Sequence, residues 1–136
     1  MILPTLPSAL LELALNDLIQ VENDPRYRVH MGYWHGRYIT TDTCAVCFGG
    51  AVLAKSLGVS PDEKIDVLDT VPLHNRKQIS ALDWARMGCW EDFFENLGYD
   101  TDNADLLTDV TAYEDDPELF KHDIRVAIDI LKENNL

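Results

Sequence analysis

From Met87 to Phe120 the chain runs without a lysine, arginine or histidine while carrying 11 carboxylates. Such a stretch has no cation of its own to pair with. The simplest reading is a solvated acidic surface that keeps a small protein soluble, which is what most charge runs are. The run is not low-complexity: Leu106, Leu107, Val110, Tyr113, Leu119 and Phe120 interrupt it. Those residues supply apolar anchors, as in a folded segment that holds its acids at fixed positions. The imbalance is regional. Residues 1–86 hold 10 acids and 8 bases, whereas residues 87–136 hold 14 acids and 3 bases. A surface built only for solubility usually mixes both signs, since self-repulsion among like charges costs stability.

The 136 residues have a formal net charge of −13 and are 46% hydrophobic. That length suits one domain with a real core, and the composition excludes wholesale disorder. The expected organisation is a single domain over 1–136, with a near-neutral helical core in 1–86 and a polyanionic part in 87–136. A chain this acidic repels nucleic acid and anionic membrane surfaces, so no direct nucleic-acid or membrane binding is expected. The apolar opening Met1–Pro7 lacks the basic residues of a signal peptide, and no apolar run approaches the ~18 residues of a spanning helix. Three cysteines without an export signal point to a reducing cytoplasm.

The pattern along the chain predicts a mainly helical α+β fold of about four to five helices. Ser8 is expected to cap a first helix whose apolar stripe is Leu10, Leu11, Ala14, Leu15, Leu18 and Ile19, ending at Asp24-Pro25. Residues 27–39 read as short strands or an ordered loop, and 106–113 as a second candidate strand region. Asp42 is expected to cap an almost wholly apolar helix from Thr43 to Leu57, stopped by Gly58, in which Gly49-Gly50 admits a close backbone neighbour. Ser60-Pro61-Asp62-Glu63 marks a short helix start. Further helices fit Asn75–Met87, with Ile79, Leu82 and Met87 inward, and Cys89–Leu97, closed by Gly98. Asp116-Pro117 starts the last, with Phe120, Ile124, Ala127, Ile128 and Leu131 on one face.

Cys44-Ala45-Val46-Cys47 on a helix would put two sulfurs on one face, as a redox pair or half a zinc site requires. With His30 and His35 these cysteines make a four-ligand set, the basis of an alternative metal-binding or redox module. Core packing is the simpler role for thiols in an apolar helix. Trp84 and Trp90 suggest another alternative, a hydrophobic adaptor using them as interface anchors. The common catalytic motifs are absent: no G-x-S-x-G, P-loop, Rossmann glycine fingerprint or H-E-x-x-H occurs. We therefore expect no enzyme, no catalytic residue and no cofactor.

The segment His30–Gly58, with Met31-Gly32, Trp34-His35, Cys44-x-x-Cys47 and Gly50-Ala51, resembles small proteins encoded by tailed bacteriophages. The opening Ala9-Leu10 through Asp24-Pro25-Arg26-Tyr27 and the closing Asp116-Pro117-Glu118 are similar too. The family as a whole carries no assigned activity, so no site residue follows from it. What the resemblance implies is a setting: an acidic phage protein in the host bacterial cytoplasm looks like the host-takeover inhibitors that mimic DNA. The partner would be a host DNA-binding enzyme such as a nuclease, RNA polymerase or, as leading candidate, DNA gyrase. The residues expected to carry the mimicry are Glu91, Asp92, Glu95, Asp100, Asp102, Asp105, Asp109, Glu114, Asp115 and Asp116, acting by positional charge. A homodimer would double the charged footprint.

Overall fold

A computed structural model describes residues 2–37, 43–60, 62–63, 73–107 and 110–136. Helix α1 spans Pro7–Glu22. Its cap is Leu6 in extended conformation, not Ser8, which lies buried in the first turn. Pro7 takes the first helical position, where its missing N–H costs nothing, and this places the cap two residues upstream of Ser8. The stripe Leu10, Leu11, Ala14, Leu15, Leu18 and Val21 is buried. Upstream, Leu3 is 1% exposed and its backbone N–H donates to Asn75 Oδ1 at 3.0 Å, which ties the start of the chain to a distant helix. Burying such a leucine contributes about 1.5–3 kcal/mol.

The sheet is small. Strands β1 (Tyr27–Val29), β2 (His35–Arg37) and β3 (Cys44–Val46) stand in the order β1-β3-β2. β3 is central, parallel to β1 with Tyr27 opposite Cys44, and antiparallel to β2 with His35 opposite Val46. It therefore occupies the first part of the helix expected over 43–57. That apolar run fits a fully buried strand as well as a buried helix, and hydrogen bonds on both sides decide for the strand. Helix α2 is accordingly shorter, Gly50–Leu57. Gly49 turns the chain into it at φ 93° and Gly58 ends it at φ 71°, both left-handed. At Gly50 a Cβ would overlap the Trp34 carbonyl, so the close approach expected at Gly49-Gly50 exists, at the mouth of the helix. The cap expected at Asp42 lies outside the described residues.

The Ser60 N–H donates to Glu63 Oε1 at 3.1 Å and the Glu63 N–H to the Ser60 carbonyl at 3.2 Å, a helix-start arrangement whose continuation lies outside the described residues. Helix α3 spans Arg76–Arg86 and α4 spans Trp90–Leu97, closed by left-handed Gly98. Ile79 and Leu82 face inward as expected, but Met87 is 49% exposed because α3 ends before it. A 3-10 segment follows at Thr101–Leu106, and among the described residues no strand occupies 106–113. Helix α5 spans Pro117–Glu133, and Asp116 caps it by accepting from the Leu119 N–H at 3.1 Å.

One apolar cluster reaches from Leu3 through Phe48, Leu82 and Phe93 to Leu131. Phe120 sits at its centre, edge-on to Phe48 at 5.6 Å and to Tyr113 at 5.7 Å. The polyanionic part thus supplies core residues as fully as the near-neutral part. A second, small cluster of Val21, Cys44 and Val46 lies under Tyr27 and Ala51. Among the described residues no helix is long and apolar enough to cross a membrane.

Candidate functional site

The acids of the second half sit where local physics favours them. Glu91 and Asp92 occupy the first turn of α4, Asp100 and Asp102 the start of the 3-10 segment, and Asp116 and Glu118 the start of α5. Carboxylates are stabilised at helix N-termini, where free N–H groups and the aligned peptide dipoles concentrate positive potential. Trp90, Phe93 and Phe94 anchor the opposite side of α4 in the core. Glu91 and Glu95, one turn apart, are both exposed, as are Asp102 and Asp105 on the 3-10 segment. Asp100, Glu114, Asp115 and Asp116 are exposed and Asp92 is half-buried, whereas Asp109 lies outside the described residues. None of the nine described members of the expected set takes part in an ion pair with another described residue.

The bases of the same half offer little neutralisation. Lys121 is 7% exposed, with Nζ donating to Glu22 at 2.8 Å and to Glu118 at 2.6 Å. Burial works against its charge, but those two hydrogen bonds outweigh it and hold its pKa above the ordinary lysine value. Glu22 also accepts from the Tyr113 hydroxyl at 2.9 Å. Burial first, and that acceptor second, push the Tyr113 phenol far above its usual range. Lys132 pairs with Glu12 of α1 at 3.2 Å. Two of the three bases in residues 87–136 are therefore engaged with α1, and the exposed Arg125 is the third.

The histidine–cysteine set does not assemble. Cys44 belongs to the small cluster and Cys47 to the main core, so the two thiols face different interiors and the shared face expected of a helix is lost. Cys47 Sγ donates to the Phe48 carbonyl at 3.4 Å, and burial pushes its pKa up to about 12, which keeps it a neutral thiol. His35 and Cys44 do meet, Nε2 to Sγ at 3.3 Å, but both are buried at 1% and 0% exposure. His30 stands apart, edge-on to Tyr33 at 5.0 Å, with Nδ1 accepting from the Gly32 N–H. Among the described residues no three His, Cys, Asp or Glu side chains group as a metal site would require. Trp90 is 5% exposed and edge-on to Phe93 at 5.4 Å, a core residue rather than a surface anchor. Trp84 is half-buried against the core.

Sequence reasoning passed over Asp17. It falls on the apolar side of α1, between Ala14 and Val21 in helical spacing, and its side chain is 6% exposed. Oδ1 lies 3.6 Å from Lys55 Nζ, and Oδ2 is buried with no hydrogen-bond partner. Burial raises its pKa, more than the Lys55 charge lowers it. A carboxylate inside an apolar stripe was the available signal. Asp17 lines a cavity of about 440 Å³ together with Tyr27, Ala51 and Lys55. No protein-family profile, curated protein or solved structure matches the chain.

Proposed function

We propose that the chain is a charge mimic of DNA, a phage-encoded inhibitor that occupies the basic DNA-binding channel of a host enzyme, with DNA gyrase the leading candidate. The observation that carries this reading is the run of exposed carboxylates on α4, the 3-10 segment and the approach to α5, without a paired cation among the described residues. Core aromatics fix those elements, so the charges are held in place rather than strung along a flexible tail. Duplex DNA carries one charge per about 1.7 Å of axis, so 13 net charges correspond to roughly six or seven base pairs. A two-fold dimer would double that span, which makes dimerisation part of the proposal. Long-range attraction steers such a surface into a basic channel.

The test is capture of partners from bacterial lysate at low and moderate salt, with mass spectrometry of the eluate. The expected result is a DNA-handling enzyme that duplex DNA displaces and that salt weakens steeply. The combined change Glu91→Gln, Glu95→Gln, Asp102→Asn and Asp105→Asn should abolish capture, while each alone should cost little. A partner indifferent to DNA and salt would overturn the reading, as would loss of capture on one single neutralisation.

A further inference from the structure

Two stretches without a carboxylate meet in the fold: residues 1–11 and 70–82 hold no Asp or Glu. The Leu3 N–H, ahead of α1, donates at 3.0 Å to Oδ1 of Asn75, the residue before α3. Neither helix has an acid in its first turn, unlike α4 and α5. Ile2 immediately precedes the donor and is 74% exposed. Leu73, shortly before the acceptor, is 78% exposed, and Leu6, at the cap of α1, is 43% exposed. Exposed apolar side chains scattered singly are ordinary, but several gathered at one place mark a surface that meets another. The other large apolar side chains exposed among the described residues, Met87, Leu119 and Val126, stand in the acidic half. Beside the patch Arg76 and Lys77 are exposed, and neither has an ion-pair partner among the described residues.

A chain with a net charge of −13 repels its own copies, so a contact between two of them must avoid the carboxylates. In a two-fold dimer each surface meets itself. Contact through α4 or the 3-10 segment would set the exposed Glu91, Glu95, Asp102 and Asp105 against the same acids. Contact through the patch sets Ile2, Leu6 and Leu73 against their own apolar counterparts, the composition that the centre of a homodimer interface favours. Arg76 and Lys77 at its side then face a strongly negative molecule, and that attraction offsets part of the mutual repulsion. We propose that this patch is a homodimer interface, occupied by a second copy of the chain about a two-fold axis. The proposal supplies the contact for the dimer of the charge-mimic reading. It rests on that reading for what the dimer is for, while the contact itself is argued from the patch.

The experiment is sedimentation equilibrium of the full chain over a range of concentrations, at low and moderate salt. The expected result is a mass that rises with concentration from 15.4 kDa toward twice that value. Moderate salt should leave the association unchanged or tighter, because it screens the repulsion between two polyanions. Leu73→Glu and Ile2→Glu should each weaken it about tenfold or more. Both side chains are already exposed, so neither change should disturb folding. Met87→Glu, at an exposed apolar residue outside the patch, should associate as the parent does. A single mass of 15.4 kDa at every concentration would overturn the proposal. So would a dimer that Leu73→Glu and Ile2→Glu leave intact, or one that moderate salt dissolves. A monomer whose capture of a lysate protein is lost on Leu73→Glu would also overturn it, and would give the patch to that protein. The two readings fail separately. A monomer that still captures a DNA-displaced enzyme sinks the dimer alone, and a dimer that captures none sinks the charge mimic alone.

Discussion

Replacing Asp17 with leucine should make the protein more stable, although it deletes an ion pair. The pair is weak: an ammonium 59% exposed at 3.6 Å contributes about 0–1 kcal/mol. Against that loss, the change removes a buried carboxylate oxygen without a partner, a defect costing about 1–3 kcal/mol. It also places a strong helix former in the interior of α1, a gain of about 0.5 kcal/mol. The cavity beside the site leaves room for the larger side chain. The balance is a gain of about 2 kcal/mol at pH 7, or roughly 7 °C in Tm for a chain of this length. The pH dependence gives an independent check. Burial raises the folded-state pKa of Asp17 above the unfolded value of 3.8, so between the two the native state binds more protons than the unfolded one. Stability contributed by this group therefore falls as pH rises through that window and recovers as pH falls. The advantage of leucine should be largest at neutral pH and shrink on acidification, because the protonated parent no longer buries a charge. Urea unfolding followed by tryptophan fluorescence, at pH 7 and in steps down to about pH 4, spans the window above the unfolded value and measures both. A leucine variant less stable than the parent at pH 7, or a gap that widens on acidification, would refute the argument.

Gly50→Ala should lower stability by about 1–3 kcal/mol, since its methyl would overlap the Trp34 carbonyl, which the main chain holds in place. Gly36→Ala, where a Cβ meets nothing within 4 Å, should leave the urea midpoint unchanged or slightly higher. Lys121→Ala should cost about 2–3 kcal/mol in a thermal melt, because it strands the half-buried Glu22 carboxylate. Glu118→Gln, at the end of that network that is 83% exposed, should cost less than about 1 kcal/mol.

The sequence carried its helix ends most plainly where a backbone constraint was written in residue types. Asp116-Pro117 and Gly98 mark boundaries that the structure repeats, because a cap, a fixed φ and a left-handed stop act locally. Ser8 misled for a related reason: Pro7 already satisfied the first turn. The run from Cys44 to Leu57 was the larger difference. Its apolar residues are compatible with helix or buried strand, and the deciding hydrogen bonds come from β1, whose partner residues lie 17 positions upstream. No local pattern encodes that pairing. The exposed acids could be read from composition, because charge goes to water. The burial of Asp17 was legible from its place in the apolar stripe of α1, but its pairing with Lys55 was not, because only the fold brings the two together.

The division of Cys44 and Cys47 between two interiors has a consequence for how the protein ages under oxidation. The central strand acts as an insulator between them. To join the two sulfurs, the strand would have to turn one residue over, breaking its ladders with both neighbours and pulling an apolar side chain out of each cluster. Adjacency in the chain therefore confers no chemical intimacy. Each thiol is shielded by a different set of neighbours, so the C-x-x-C spacing does not bring the two sulfurs together in the folded chain.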